Sequence, residues 1–202
     1  MKGYLLALVA LGMLLLPTAS FANLVTNGGF ESPDINPGTY GLFTSIPGWT
    51  AGTGKIEIQD HVAGSPYELA QFMELDSDQS SSAYQDLTTV AMQTYTLSFA
   101  FSARPGTPAS DNILAIYWDG NLLDTLTADG TNLQDTDWHV FTYTVMASAG
   151  TTRLQFADQG ISNSYGTYVD AVSVDTAAVP EPASLMLLGT GLVGLARRVR
   201  RR

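Results

Sequence analysis

Residues 94–103 read Thr94-Tyr95-Thr96-Leu97-Ser98-Phe99-Ala100-Phe101-Ser102-Ala103, with a large apolar side chain at every second place. A repeat of two is the period of a β-strand, whose successive side chains point to opposite sheet faces. Tyr95, Leu97, Phe99 and Phe101 therefore face a core, and Thr96, Ser98, Ala100 and Ser102 line the other face, which forms a shallow groove unless a loop fills it. The same alternation places Phe141, Tyr143 and Val145 inward over residues 139–145, and Leu154 and Phe156 inward over residues 153–157. Residues 112–118 are apolar on both faces, as expected of a strand that sits centrally or beneath a loop. Asp119-Gly120-Asn121 after them is a hairpin signal leading into residues 122–126. Residues 168–174 close the series. With residues 24–30, 55–59, 69–75 and 83–87 this makes about ten strands and no sustained helical period. The expected fold is all-β, a two-sheet jelly-roll sandwich over residues 23–175.

The 202-residue chain carries 9 Lys and Arg against 19 Asp and Glu. Six of the basic residues lie at the ends, so residues 23–179 hold only Lys55, Arg104 and Arg153 against 18 acids, a balance of −15. Such a body repels nucleic acid and anionic lipid and attracts cations, although a solubilising acidic surface is the commoner meaning of such a balance. The absence of cysteine excludes a disulfide scaffold and thiol chemistry. The two histidines, His61 and His139, cannot build a histidine-rich metal site. Aromatic and β-branched residues run through the whole body, which excludes intrinsic disorder.

Both ends read as addresses. Residues 1–22 have the form of a secretory signal peptide: Lys2, an apolar run from Tyr4 to Leu16, Pro17, and Ser20-Phe21-Ala22 with cleavage after Ala22. At the other end a linker, residues 176–182, carries Pro180-Glu181-Pro182. It leads into a short apolar helix and an Arg-rich tail over residues 183–202, where Arg197 and Arg198 open the basic cluster. An apolar helix closed by arginines holds its charged end on the cytoplasmic side, and its 14 residues from Ala183 to Ala196 are few for a permanent span. This tail resembles the PEP-CTERM sorting signal of exopolysaccharide-producing Gram-negative bacteria. The resemblance implies transient inner-membrane anchoring, removal of the tail by an exosortase-type membrane protease, and delivery to the cell surface or extracellular matrix.

The body opens with Asn27-Gly28-Gly29-Phe30-Glu31 and, after a variable loop, Gly48-Trp49. Lys55-Ile56-Glu57-Ile58, Tyr84-Gln85-Asp86-Leu87, Trp138 through Phe141 and Val169-Asp170 follow in order. Together these resemble the galactose-binding-domain-like jelly rolls, above all the carbohydrate-binding modules of families 4, 9 and 22 and the domain-of-unknown-function 642 proteins. The resemblance implies a structural calcium held by the Gly29 carbonyl, Glu31, Glu57 and Asp170. Calcium takes six to eight oxygen ligands, which suits such a set. Asp170 also interrupts the apolar face of Tyr168, Val172 and Val174, where an unpaired carboxylate is costly. The alternative for these acids is a salt bridge or a solvated surface position.

Asp76-x-Asp78-x-Ser80 is not an EF-hand, because Ser81 stands where that loop needs glycine and Leu87 where it needs glutamate. It reads as a solvated acidic loop. No nucleophile elbow, phosphate loop or zinc-protease motif occurs, and nothing singles out a glycosidase pair among the carboxylates. Trp118, Tyr84 and Gln85 are the candidate glycan-contacting residues, two for stacking and one for hydroxyls, with ordinary packing the alternative for each aromatic. Tyr117 and Tyr165 are further aromatics of the same kind. The expected protein is a non-enzymatic glycan-binding module associated with polysaccharide. A structural matrix or adhesin component without sugar affinity, and a glycan-active enzyme, are the rival readings.

Overall fold

A computed structural model of the chain describes residues 23–177. The signal peptide, Ala22, Pro180-Glu181-Pro182, the apolar helix, Arg197 and Arg198 lie outside the described residues. Two six-stranded antiparallel sheets form a jelly-roll sandwich. One sheet, here sheet A, has the order β1 (Tyr40–Phe43), β4 (Ile56–Gln59), β5 (Phe72–Leu75), β12 (Thr167–Thr176), β7 (Thr94–Ser102), β10 (His139–Met146). Sheet B has the order β2 (Ser45–Ile46), β3 (Trp49–Thr53), β6 (Ser82–Thr88), β11 (Thr151–Asp158), β8 (Ile113–Trp118), β9 (Asn121–Thr127). Among the described residues every regular element is a strand.

The alternation in β7 sets the core. Leu97, Phe99 and Phe101 are buried between the sheets, and Phe99 meets Phe156 of β11 edge-on at 4.9 Å between ring centres. Full burial of one such side chain contributes about 1.5–3 kcal/mol, so the inward row of β7 is a main stabilising feature. The β8–β9 hairpin turns on Asp119 and Gly120, both at positive φ (53° and 76°), which is why a glycine follows the aspartate there.

Three departures from the sequence expectation have local causes. Residues 24–30 form no regular strand. They run beside β12 through Leu24 N–H to Val174 O and Val172 N–H to Gly28 O, but Asn27 and Phe30 at φ 57° break the ladder. Strands β1 to β3 were not expected, because their short runs lack a clear alternation. In β12 a bulge at Ala171 (φ 50°) shifts the register between Asp170 and Ser173. Val169, Val172 and Val174 therefore all enter the core while Tyr168 and Asp170 face outward, so Asp170 does not share a face with the two later valines.

The outer face of β7 is not an open groove along its length. Ala100 and Ser102 are buried, and Asp137 N–H donates to Ser102 Oγ. The loop over residues 60–71 also crosses the outer face of sheet A. It is pinned by Tyr168 Oη donating to Ala63 O (3.0 Å) and Trp138 Nε1 donating to Ser65 O (2.8 Å).

Candidate functional site

Antiparallel pairing aligns Leu42, Glu57, Glu74, Tyr168 and Ser102 in one row across the outer face of sheet A. Two carboxylates thus stand side by side on β4 and β5. Glu74 is fully buried and Glu57 nearly so. Gln59 Nε2 donates to Glu57 Oε1 (3.0 Å) and also to Glu74 Oε2. Arg104 Nη1 reaches both oxygens of Glu74 at 2.8 Å, and Gly166 N–H donates to Glu74 Oε1 (2.9 Å). Burial pushes Glu74 up to about 8 against the pull of Arg104, and burial likewise raises Glu57. Burial works to lower Arg104, but the Glu74 charge leaves it raised on balance. The group is a compact, buried polar network.

The network opens into a pocket of about 250 Å³ lined by Tyr40, Leu42, Glu57, Gln59, Val62 and Arg104, with Ser77 and Ser164 at its wall. Tyr40 is 59% exposed and lines the mouth. The Arg104 guanidinium lies 4.7 Å from the ring centre of Tyr165, whose side chain is also exposed. Chemically the pocket offers carboxylate acceptors, an amide and a guanidinium beside the exposed ring of Tyr40. That combination suits a hydroxyl-rich neutral ligand. The Gln59 amide bridges Glu57 and Glu74 and ties both carboxylates into the network.

The structure turns the three glycan candidates away from this pocket. Gln85 points inward, and its amide is consumed by Thr26, accepting from Thr26 N–H (2.7 Å) and donating to Thr26 O (3.0 Å). Trp118 faces the core, 6% exposed, against Tyr95, with Nε1 donating to Met146 O (2.9 Å). Only its edge reaches a separate shallow pocket of about 320 Å³ near Leu122 and Ser148. Tyr84 does lie on the outer face of sheet B, but the Arg153 guanidinium covers its ring at 3.7 Å, held there by two bonds to Asp86. The alternation of strands β6 and β8 is the reason: neighbours in sequence cannot share a face.

The expected calcium ligands also divide. Glu57 belongs to the Arg104 network and does not join Glu31 and Asp170. Glu31 Oε1 accepts from Ala70 and Gln71 N–H, both at 2.9 Å. Asp170 Oδ2 accepts from Tyr67 and Glu68 N–H and its Oδ1 from Ala171 N–H. Burial, with the Glu68 charge adding, pushes Asp170 up to about 7 against these donors. Gly29 sits beside Glu68, whose Oε1 lies 2.8 Å from where a Cβ on residue 29 would stand. Backbone donors thus reach both acids, and among the described residues no three acidic or histidine side chains converge on one metal position. The four-ligand set does not fit.

Arg104, Glu74, Gln59 and Tyr40 were not singled out from the sequence. Two signals pointed to them: Arg104 is one of only three basic residues in the body, and Glu74 interrupts the apolar run Phe72–Leu75.

Residues 178–202 match the family described as the PEP-CTERM protein-sorting motif, so the chain carries an export and sorting signal at that end. No curated protein matches the chain. Among solved structures, TmCBM61 in complex with β-1,4-galactotriose is 13% identical, with 77% of this chain and 99% of that one covered and a TM-score of 0.47. A family 35 carbohydrate-binding module from an environmental isolate is 16% identical over 70% of this chain and 99% of its own, at a TM-score of 0.46. The family 35 module from Clostridium thermocellum is 11% identical over 69% and 99%, at 0.43.

Proposed function

We propose that the protein is an exported, non-catalytic glycan-binding module that associates with extracellular polysaccharide through the pocket on the outer face of sheet A. An exosortase-type protease removes its tail after transient anchoring in the inner membrane, and the sandwich is delivered to the surface or matrix. The observation that carries the binding reading is the buried Glu57–Glu74–Gln59–Arg104 network opening beneath Tyr40. Its polar groups are held in place before any ligand arrives, which lowers the ordering cost of binding. The acidic body selects against uronic-acid chains and favours neutral ones.

Calorimetric titration with neutral oligosaccharides tests this. Binding is expected in the micromolar range or weaker. Tyr40→Ala, a surface change, is expected to weaken it by up to about tenfold, the loss of one aromatic contact. Unchanged binding in that variant moves the site elsewhere, and no binding by any neutral glycan leaves the structural-matrix reading in its place.

A further inference from the structure

Four large apolar side chains, Val90, Met92, Leu122 and Met146, stand 54% to 72% exposed at one end of the sandwich. Hydrogen bonds bring their turns together. Met92 N–H donates to Ala147 O (2.8 Å) and Ala147 N–H to Gln93 O (3.0 Å), which joins the β6–β7 turn to the β10–β11 turn. Ser148 Oγ donates to the Asp119 carboxylate, which adds the β8–β9 turn. Leu122 and Met146 line one shallow pocket there, over the edge of Trp118. The chain leaves the sandwich at this same end. Thr94, the first residue of β7, pairs with Met146 on one side, and on the other its carbonyl accepts from Ala177 N–H (3.1 Å) at the end of β12.

The charge pattern sets this end apart from the rest of an acidic body. Residues 87–103 and 140–152, which include the two joined turns, carry no charged side chain. The acids bordering them are Asp86, paired with Arg153, Asp119, which accepts from Ser148, and Asp175 on β12. The apolar turn is also held firmly, since Val90 N–H donates to the hydroxyl of the buried Tyr95 (2.9 Å). Met92 holds φ at 64°, a conformation in which glycine or asparagine is the cheaper choice, yet the sequence places a long apolar side chain there. Clustered, fixed apolar side chains of this kind mark a surface that meets something apolar.

We infer that this end of the sandwich rests on the lipid surface of the membrane while the apolar segment 183–196 anchors the chain, with Val90, Met92, Leu122 and Met146 entering the headgroup boundary. The inference rests on the reading of that segment as a transient anchor. The length of chain between them argues for lipid as the occupant. From Ala177 to Ala183 the backbone reaches at most about 20 Å, so an anchored segment keeps the patch beside the bilayer. A tether that short supplies a high effective concentration, and a weak contact then suffices. The uncharged turns approach lipid without the repulsion that the acidic body meets. Orientation follows as well. Arg104 comes after the opposite end of the nine-residue β7, roughly 25–30 Å away, so the glycan pocket points away from the membrane. Removal of the tail ends the tether and with it the contact.

The test uses residues 23–202 reconstituted into vesicles of phosphatidylethanolamine and phosphatidylcholine. The chain has no cysteine, so one fluorophore can be placed at a time, on Met92→Cys, Leu122→Cys or Ile161→Cys, the last being exposed at the far end beyond β11. Quenching by nitroxide-labelled lipid is expected to be several-fold stronger at Met92→Cys and Leu122→Cys than at Ile161→Cys. Adding Val90→Asp, a change on an exposed turn, is expected to remove most of the quenching at Leu122→Cys while the protein still floats with the vesicles. Protein that does not float refutes the anchor reading and the inference with it. Floating protein with equal quenching at both ends overturns the inference alone and leaves the anchor standing. So does a Met92→Cys label shielded from a water-soluble quencher but not reached by the lipid nitroxide, which means that a second copy or the tail covers the patch. Quenching at Leu122→Cys that Val90→Asp leaves unchanged overturns it too.

Discussion

Arg104 Nη1 donates to both carboxylate oxygens of Glu74 at 2.8 Å, with Glu74 fully buried and Arg104 largely so. Above about pH 8, where Glu74 carries its charge, removing one partner of such a pair strands the other charge in the interior. Arg104→Ala is therefore expected to cost about 3–5 kcal/mol of unfolding free energy, read as a lowered denaturant midpoint. The double change Arg104→Met with Glu74→Gln is expected to cost much less, because no charge is left without a partner. Equal losses in the two variants would show that packing of the Arg104 stem, not its charge, matters.

The same network sets a pH dependence. Glu74 ionises at about 8 in the folded chain against an ordinary value of 4.5, burial being the main cause. The groups facing it are Glu57 and Gln59 on β4, Arg104 after β7, and Gly166 and Tyr168 at β12. Between these two values the folded state holds more protons than the unfolded one, so stability falls as pH rises. The contribution is complete below pH 4.5 and lost through pH 8. Melting in chelator is expected to decline across that window and to decline less steeply in Glu74→Gln; identical slopes would remove Glu74 as the source.

Trp118 and Tyr84 separate packing from surface. Trp118→Ala opens a cavity against Tyr95 and strands Met146 O, and its expected cost is about 3–5 kcal/mol. Tyr84→Ala exposes only the Arg153 stack on the outer face of sheet B, and its expected cost is about 1 kcal/mol or less. Chemical denaturation of both variants measures the difference. A small loss in Trp118→Ala would show that its ring is not part of the core.

How much the sequence disclosed follows from the range of the forces involved. Period-two patterning is local, so β7, β10 and β11 were legible almost residue by residue. The same period shows that Tyr84 and Gln85 oppose each other, but which one reaches solvent depends on sheet pairing. The Glu57–Glu74 contact is a register fact between β4 and β5, and no local signal carries it. Asp76 was legible as an acid in a loop. Its burial comes with a loop distant in sequence, whose Asn163 and Ser164 N–H groups donate to it and whose Gly166 packs against it, and so it read as solvated.

Processing gives a prediction independent of the fold. Residues 178–202 match a sorting motif, and residues 1–22 have the form of a cleaved signal. Intact-mass spectrometry of the extracellular protein is expected to show a chain beginning at Asn23 and lacking the apolar segment and arginines that follow Pro180-Glu181-Pro182. Recovery of secreted protein with Arg202 still present would refute exosortase-type processing.

Glu31 and Asp170 together hold the span Tyr67–Gln71, four backbone N–H groups being shared between two carboxylates. Each carboxylate accepts from an adjacent pair, so a single substitution releases half of the span and strands two donors. Leaving a buried donor unpaired costs about 1–3 kcal/mol, more when the lost acceptor is charged. Asp170→Ala is expected to be the more damaging change, because Asp170 is fully buried, also accepts from Ala171 N–H, and sits at the β12 bulge between the loop and β7. Glu31→Ala is expected to release Ala70 and Gln71 while leaving the sandwich intact. Hydrogen exchange by mass spectrometry reads both outcomes: faster exchange confined to residues 67–71 in Glu31→Ala, and faster exchange extending into β12 in Asp170→Ala. Unchanged protection of residues 67–71 in both variants would mean that Trp138 and Tyr168 alone anchor the loop.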